Sequence, residues 1–226
     1  MTQTPSWGPQ RSFGRTKART LKTRQAKLIE TLLPSLAPSE AEFEDVRGQQ
    51  KEVFLEIGFG GGEHLAAQAH KKPDALFVGA EPFLNGVGSL LRHIDEDGLN
   101  NVRIHAGDGR DLLKTMPHQS LDGLFVLFAD PWPKSRHHKR RLINAETVSE
   151  MTLRLKPGAQ LRFATDWADY ANWALLFFLK EPNLEWMAQS HKDWTNAPED
   201  HVKTRYELKA LGDCAPVYFN FKRKPA

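Results

Sequence analysis

Five carboxylates carry the chemical content of this 226-residue chain: Glu56, Glu81, Asp108, Asp130 and Asp166. Each stands at the end of a short apolar run (VFLE, ALFVGAE, NVRIHAGD, LDGLFVLFAD and AQLRFATD) of the length and composition of a buried strand. A lone acid in such a place is usually a helix cap or a turn former. Five in succession would share one sheet edge, where a bound cation or donor groups must relieve their repulsion. The first precedes a glycine turn, EIGFGGGE, with Gly58, Gly60, Gly61 and Gly62. Glycines there let backbone approach a ligand, and the helix that follows offers free N–H groups. A dinucleotide fingerprint would need another glycine where Glu63 stands, and Glu56 would repel a pyrophosphate. The same carboxylate suits a cofactor that carries positive charge, as S-adenosylmethionine does in its sulfonium and amino groups.

Roles follow from position. Glu81, at the end of the second strand, can accept both hydroxyls of a ribose, a service equally suited to NAD. Asp108, preceded by Gly107, can accept from an adenine amine, and Glu56 falls to the methionine end. Asp130 closes the fourth strand, where this architecture keeps its substrate-facing residue. It also opens DPWPKSRHHKRR. Pro131 and Pro133 stiffen that loop and aim Trp132. Lys134, Arg136, Lys139, Arg140 and Arg141, with His137 and His138, follow and suit phosphate contacts around an unstacked base. Trp132 serves equally well as a core anchor. Two adjacent histidines without spaced acids make no metal site, and no Ser-His-Asp or Cys-His set stands out.

The elements that hold these residues alternate. Strands at 53–57, 75–81, 101–108, 121–130 and 159–166 are followed by predicted helices near 62–70, 83–96, 109–116, 140–155 and through Phe178. Lys156-Pro157-Gly158 should end the fourth of these helices. Two further strands are expected at 184–189 and 216–222. The pattern is α/β, a doubly wound, mostly parallel seven-stranded sheet. Residues 1–50 read as a basic N-terminal extension: an extended or disordered arm, a helix from Leu21 to Pro34, and a Pro- and acid-rich linker or lid. Residues 51–226 form the main domain. Lys and Arg crowd into 11–27, 134–141 and 222–224, none of which holds an acid, and the rest of the chain is net acidic. Charge segregated this way presents a basic face to a polyanion. The single cysteine, Cys214, excludes an internal disulfide. The longest apolar run, WALLFFL, is too short to span a bilayer. With no apolar leader, these features point to a cytoplasmic protein.

The segments EIGFGGG, GAEP, AGD, DPWPK with its basic run, ATDW (164–167) and TRYE (204–207) closely resemble the bacterial tRNA (guanine-N7)-methyltransferases, from about Arg11 onward. That resemblance implies a class I, Rossmann-like methyltransferase fold, S-adenosyl-L-methionine as cofactor, and methyl transfer to N7 of a variable-loop guanine in tRNA. It implies a cofactor site lined by Glu56, Gly58, Gly60, Glu81, Asp108 and Asp130, with Asp130 also catalytic. Lys134, Asp166, Thr204, Arg205, Tyr206 and Glu207 would contact substrate, and Arg136, His137, His138, Lys139, Arg140 and Arg141 would meet RNA. Ala129 and Arg205 stand where proline and lysine are the commoner residues. No obligatory protein partner is expected, and the protein would be a monomer or homodimer. Guanine N7 is unprotonated at neutral pH, so the reaction asks for alignment and no general base. Asp166, Asp130 or both would read the N1–H and N2 amine of the base. A methyltransferase of proteins or small molecules would leave the basic stretches without a purpose. A non-catalytic RNA binder would not need five acidic strand ends.

Overall fold

In the computed structural model, which describes residues 20–225, hydrophobic periodicity sorts the chain into layers. The order is α1 (Thr23–Thr31), α2 (Glu40–Gly48), β1 (Val53–Ile57), α3 (Glu63–Lys71), β2 (Leu76–Ala80), α4 (Leu84–Asp97), β3 (Val102–His105), α5 (Gly109–Thr115), β4 (Leu121–Leu127), α6 (Ala145–Arg154), β5 (Leu155–Thr165), α7 (Ala168–Lys180), β6 (Leu184–Trp186), α8 (Lys192–Thr195) and β7 (Val217–Arg223). The strands form one sheet in the order β3-β2-β1-β4-β5-β7-β6. β1 to β5 pair in parallel, and β7 runs antiparallel between β5 and β6. The strand order reverses between β1 and β4, which opens a crevice at their C-terminal ends.

Alternate residues of each strand feed opposite layers. Val53, Leu55 and Ile57 of β1 join Val78, Val126 and Phe163 in a core closed by α2, α5, α6 and α7. Phe77 faces the other way, into a core formed by Leu65 of α3 and by Val87, Leu90 and Leu91 of α4, with Leu28 and Ile29 of α1 packed against it.

Three expectations differ from what forms. Part of the linker at 34–50 is helical: the Ser39 hydroxyl caps α2 at Glu42 N, and Phe43 and Val46 bury one face of an otherwise acidic segment. The helix expected at 140–155 starts later: Ser135–Arg140 is a tight turn, and α6 begins only at Ala145, where the Asn144 side chain caps Thr147 N. Lys156-Pro157-Gly158 lies inside β5 as an irregularity, where pairing jumps from Leu121–Leu155 to Gly123–Gln160. The arm expected over residues 1–20 falls, except for Thr20, outside the described residues.

Two glycines set the crevice wall. Gly62 has φ +81, and a Cβ there would come within 2.7 Å of Leu90. Gly86 brings α4 against the glycine turn, and a Cβ there would run into the Gly60 carbonyl oxygen. Gly86→Ala should therefore cost about 1–3 kcal/mol of stability in denaturant unfolding. Gly48→Ala, with open space around it, should be neutral or slightly stabilising.

Candidate functional site

A cleft of about 660 Å³ opens where β1, β2 and β4 end. Its wall contains Glu56, Gly58, Gly60, Glu81, Asp108 and Asp130, so the six predicted cofactor contacts share one cavity. Glu81 is buried; its Oε2 accepts from Gly60 N and its Oε1 from Phe83 N, both at 2.9 Å. Burial pushes its carboxyl up to about 7, against those two hydrogen bonds, and the charges of Asp130 and Glu56 add to the rise. Asp108 caps α5 and accepts from Arg110 at N, Nε and Nη2, over 2.6–2.9 Å. Burial works against its ionisation, but the Arg110 bonds prevail and hold it below the usual carboxylate range. Glu56 is almost fully enclosed and accepts from His64 Nδ1 at 2.8 Å. Arg110 and His64 are partners that the sequence reading missed. The only local signal was their spacing, two and eight residues after the acids they meet.

The Asp130 loop is held under backbone strain. Phe128 and Trp132 take left-handed φ values of +55 and +45, on either side of Ala129-Asp130-Pro131. Non-glycine residues there cost on the order of 1–3 kcal/mol each, and persist only where surroundings over-determine them. Arg141 is one such surrounding. Its guanidinium donates from Nε to Pro131 O at 2.8 Å, pairs with Asp169 and lies against the Tyr170 and Trp173 rings. It is 1% exposed, so it clamps the loop from inside and does not join the expected RNA-facing surface. Trp132 lines the cleft with the Arg140 guanidinium 4.9 Å from its ring centre, and belongs to no core cluster among the described residues. Lys134, Arg136 and Lys139 are exposed beyond it, and His137 and His138 are half-buried against Trp132 and Trp173. The side chain of Asp130 is open to solvent on the cleft side, while protein crowding elsewhere raises its carboxyl.

The opposite lip is a turn in which Thr204 N donates to Glu207 Oε2 at 2.9 Å and Glu207 N to Thr204 Oγ1 at 3.3 Å. His201 Nε2 lies 2.8 Å from the same carboxylate, with the Tyr218 hydroxyl donating to it at 3.4 Å. Glu207 thus faces inward and shapes the turn, while Thr204, Arg205 and Tyr206 line the cleft. Arg205 crosses to Glu63 and to Ser89 Oγ. Asp166 is buried behind this lip, outside the cleft wall; the Tyr206 hydroxyl approaches its carboxylate at 3.4 Å. Among the described residues, no cluster of three His, Cys, Asp or Glu side chains could hold a metal ion. The site therefore combines an acidic cleft, fit for a ligand with cationic and donor groups, with a basic outer rim.

A family model described as "Putative methyltransferase" matches residues 50–219. The tRNA (guanine-N(7)-)-methyltransferase of Caulobacter sp. (strain K31) is 54% identical over 218 residues, 96% of each chain. The protein of that name from Hyphomonas neptunium is 50% identical, covering 94% of this chain and 99% of its own. Among solved structures, the 16S rRNA methyltransferase KamB aligns with a TM-score of 0.55 at 16% identity, over 83% of this chain and 94% of that one. An rRNA methylase from Streptococcus thermophilus gives 0.53 at 12% identity, over 77% and 88%. The structural likenesses establish the fold.

Two measurements test this geometry. Because the folded-state value of Glu81 is raised from 4.5 to about 7, its contribution to stability is present below the lower value and lost as pH rises through the higher. Between pH 5 and pH 8 the unliganded protein should lose about 2–3 kcal/mol through this group, a slope absent from Glu81→Gln in denaturant unfolding. Arg141→Met keeps bulk against the two rings but removes the donors. It should cost about 1–3 kcal/mol, while Arg136→Met on the exposed turn should stay within about 0.5 kcal/mol of the parent.

Proposed function

The chain belongs to the tRNA (guanine-N7)-methyltransferase family, and from that premise we propose that its cleft binds S-adenosylmethionine and aligns a variable-loop guanine of tRNA for methylation at N7. The observation that carries this reading is the joining of an acidic cleft to an exposed basic rim, Lys134, Arg136 and Lys139, through the strained Asp130 loop. The donor set fits the cofactor. Glu56 faces its ammonium, the two Glu81 oxygens accept from the ribose hydroxyls, and Asp108 Oδ2, with one bond from Arg110, keeps a lone pair for the adenine amine. Gly58 and Gly60 leave room for its close approach. When bound, the cofactor supplies an electrophilic methyl group on a sulfonium.

The remaining work is alignment. A carboxylate meeting N1–H and the N2 amine of guanine rejects adenine, which offers an acceptor at N1 and no N2 amine. Asp130 in the cleft wall, Asp166 hydrogen-bonded to Tyr206 behind the lip, or both supply that carboxylate, and Asp130 stands nearer the reacting centre. Trp132, beneath Arg140, offers a face on which the extracted base can stack. The rim lysines and arginines meet phosphates on either side. Nothing in this scheme requires another protein; a monomer or homodimer in the cytoplasm, where tRNA is found, is sufficient.

The test is methyl transfer from labelled S-adenosylmethionine to unmodified tRNA, with the product nucleoside identified. 7-Methylguanosine should form, and Asp130→Ala should lower kcat/KM by about a hundredfold or more. Tight tRNA binding without any transfer would favour a non-catalytic RNA binder.

A further inference from the structure

Glu56 does not hold its place alone. Its Oε2 is 2.8 Å from His64 Nδ1, and His64 Nε2 is 3.3 Å from Gln68 Nε2. The Gln68 amide nitrogen also donates to the Asp200 carbonyl oxygen at 2.8 Å. Exposures of 2%, 1% and 7% for Glu56, His64 and Gln68 leave water little part in this chain. One hydrogen assignment satisfies every member. The two Gln68 amide hydrogens go to Asp200 O and His64 Nε2, and the ring hydrogen on Nδ1 goes to Glu56. His64 and Gln68 lie one turn apart on α3, so a single helix face delivers both. The Phe125 ring of β4 packs T-shaped with the imidazole, ring centres 5.0 Å apart, and helps to fix its plane. The chain ends at Asp200, four residues before the turn whose Thr204, Arg205 and Tyr206 line the cleft.

We propose that His64 is a positioning residue for cofactor binding: it fixes the Glu56 carboxylate toward the cofactor's amino group, and Gln68 anchors it to the backbone before the Thr204–Glu207 turn. This rests on the reading of Glu56 given above. The carboxylate is useful to a cationic ligand only if its rotamer is held, and the imidazole holds it from the side away from the cleft. A buried histidine with a merely structural part would contribute to folding, but would not distinguish one end of the ligand from the other. The function proposed for His64 is therefore specific to ligands that carry the amino-acid end.

The experiment measures calorimetric affinity of the intact protein for two nucleosides, S-adenosylhomocysteine and 5′-methylthioadenosine. The second lacks the amino-acid group. His64→Leu removes the donor while keeping apolar bulk, and His64→Asn restores an N–H at the position of Nδ1. His64→Leu should weaken S-adenosylhomocysteine by roughly tenfold to a hundredfold, since a hydrogen bond to a buried charge is lost. Its affinity for 5′-methylthioadenosine should stay within about twofold of the parent, and His64→Asn should recover most of the S-adenosylhomocysteine loss. In turnover, His64→Leu should raise KM for S-adenosylmethionine with kcat little changed. Equal weakening of both nucleosides, unchanged binding of S-adenosylhomocysteine, or failure of a folded His64→Asn to recover it would overturn the role. Should His64→Leu not fold, His64→Met, which likewise lacks the donor, takes its place in the same comparison, with the same outcomes. Failure of the parent protein to bind S-adenosylhomocysteine would instead remove the cofactor reading on which the role rests.

Discussion

Like charges crowded at one sheet edge are the constraint around which this molecule is arranged. The carboxylates at the ends of β1 to β4 converge on the crevice that the reversal of strand order opens, and the fold must answer each of them. Glu81 takes two backbone N–H groups, one from the glycine turn, so that turn is an electrostatic device as well as a bend. Asp108 takes a guanidinium from its own helix, and Glu56 an imidazole from α3. Asp130 is answered least among them, and it is the one most open to solvent. A ligand bearing cationic and donor groups completes an arrangement that the protein leaves under-compensated.

The same pattern of acid and answering donor recurs outside the cleft and builds its lips. Asp169 draws Arg141 inward and fixes the loop between Asp130 and the basic turn. Glu207 gathers His201, Thr204 and Tyr218, and so shapes the facing turn. Two loops outside the sheet are thereby made into walls. The strain of the Asp130 loop, at Phe128 and Trp132, is borne by neighbours anchored in the main core.

Legibility in the sequence followed the range of the interactions. The βα alternation, the glycine turn and the acidic strand ends are local patterns with a fixed period, and all were readable. The Phe43 and Val46 pair of α2 was hidden among Pro and acids, because two apolar residues three apart declare a helix only once a core exists to receive them. Lys156-Pro157-Gly158 carries the signature of a chain break, yet pairing with β4 absorbs it as an irregularity within β5. Arg141 looked like its exposed neighbours Arg136 and Lys139, since nothing in a basic run tells which member will meet Asp169. Asp166 and Glu207, grouped in the sequence with the substrate contacts, lie behind residues that line the cleft. Direction of a side chain is a tertiary fact.

The placement of β7 has a consequence for the order of assembly. This strand is later in sequence than β6 yet lies between β5 and β6, so β6 has no partner until β7 has been synthesised. Strands β1 to β4 find all their partners within residues 53–127, β1 and β4 meeting across the intervening β2 and β3, and can condense while the rest emerges from the ribosome. The Thr204–Glu207 turn, strung between β6 and β7, is held by Tyr218 of that last strand. The glycine turn and acidic edge can thus form early, but the lip facing them is fixed only when β7 docks, so a nascent or truncated chain holds half a site.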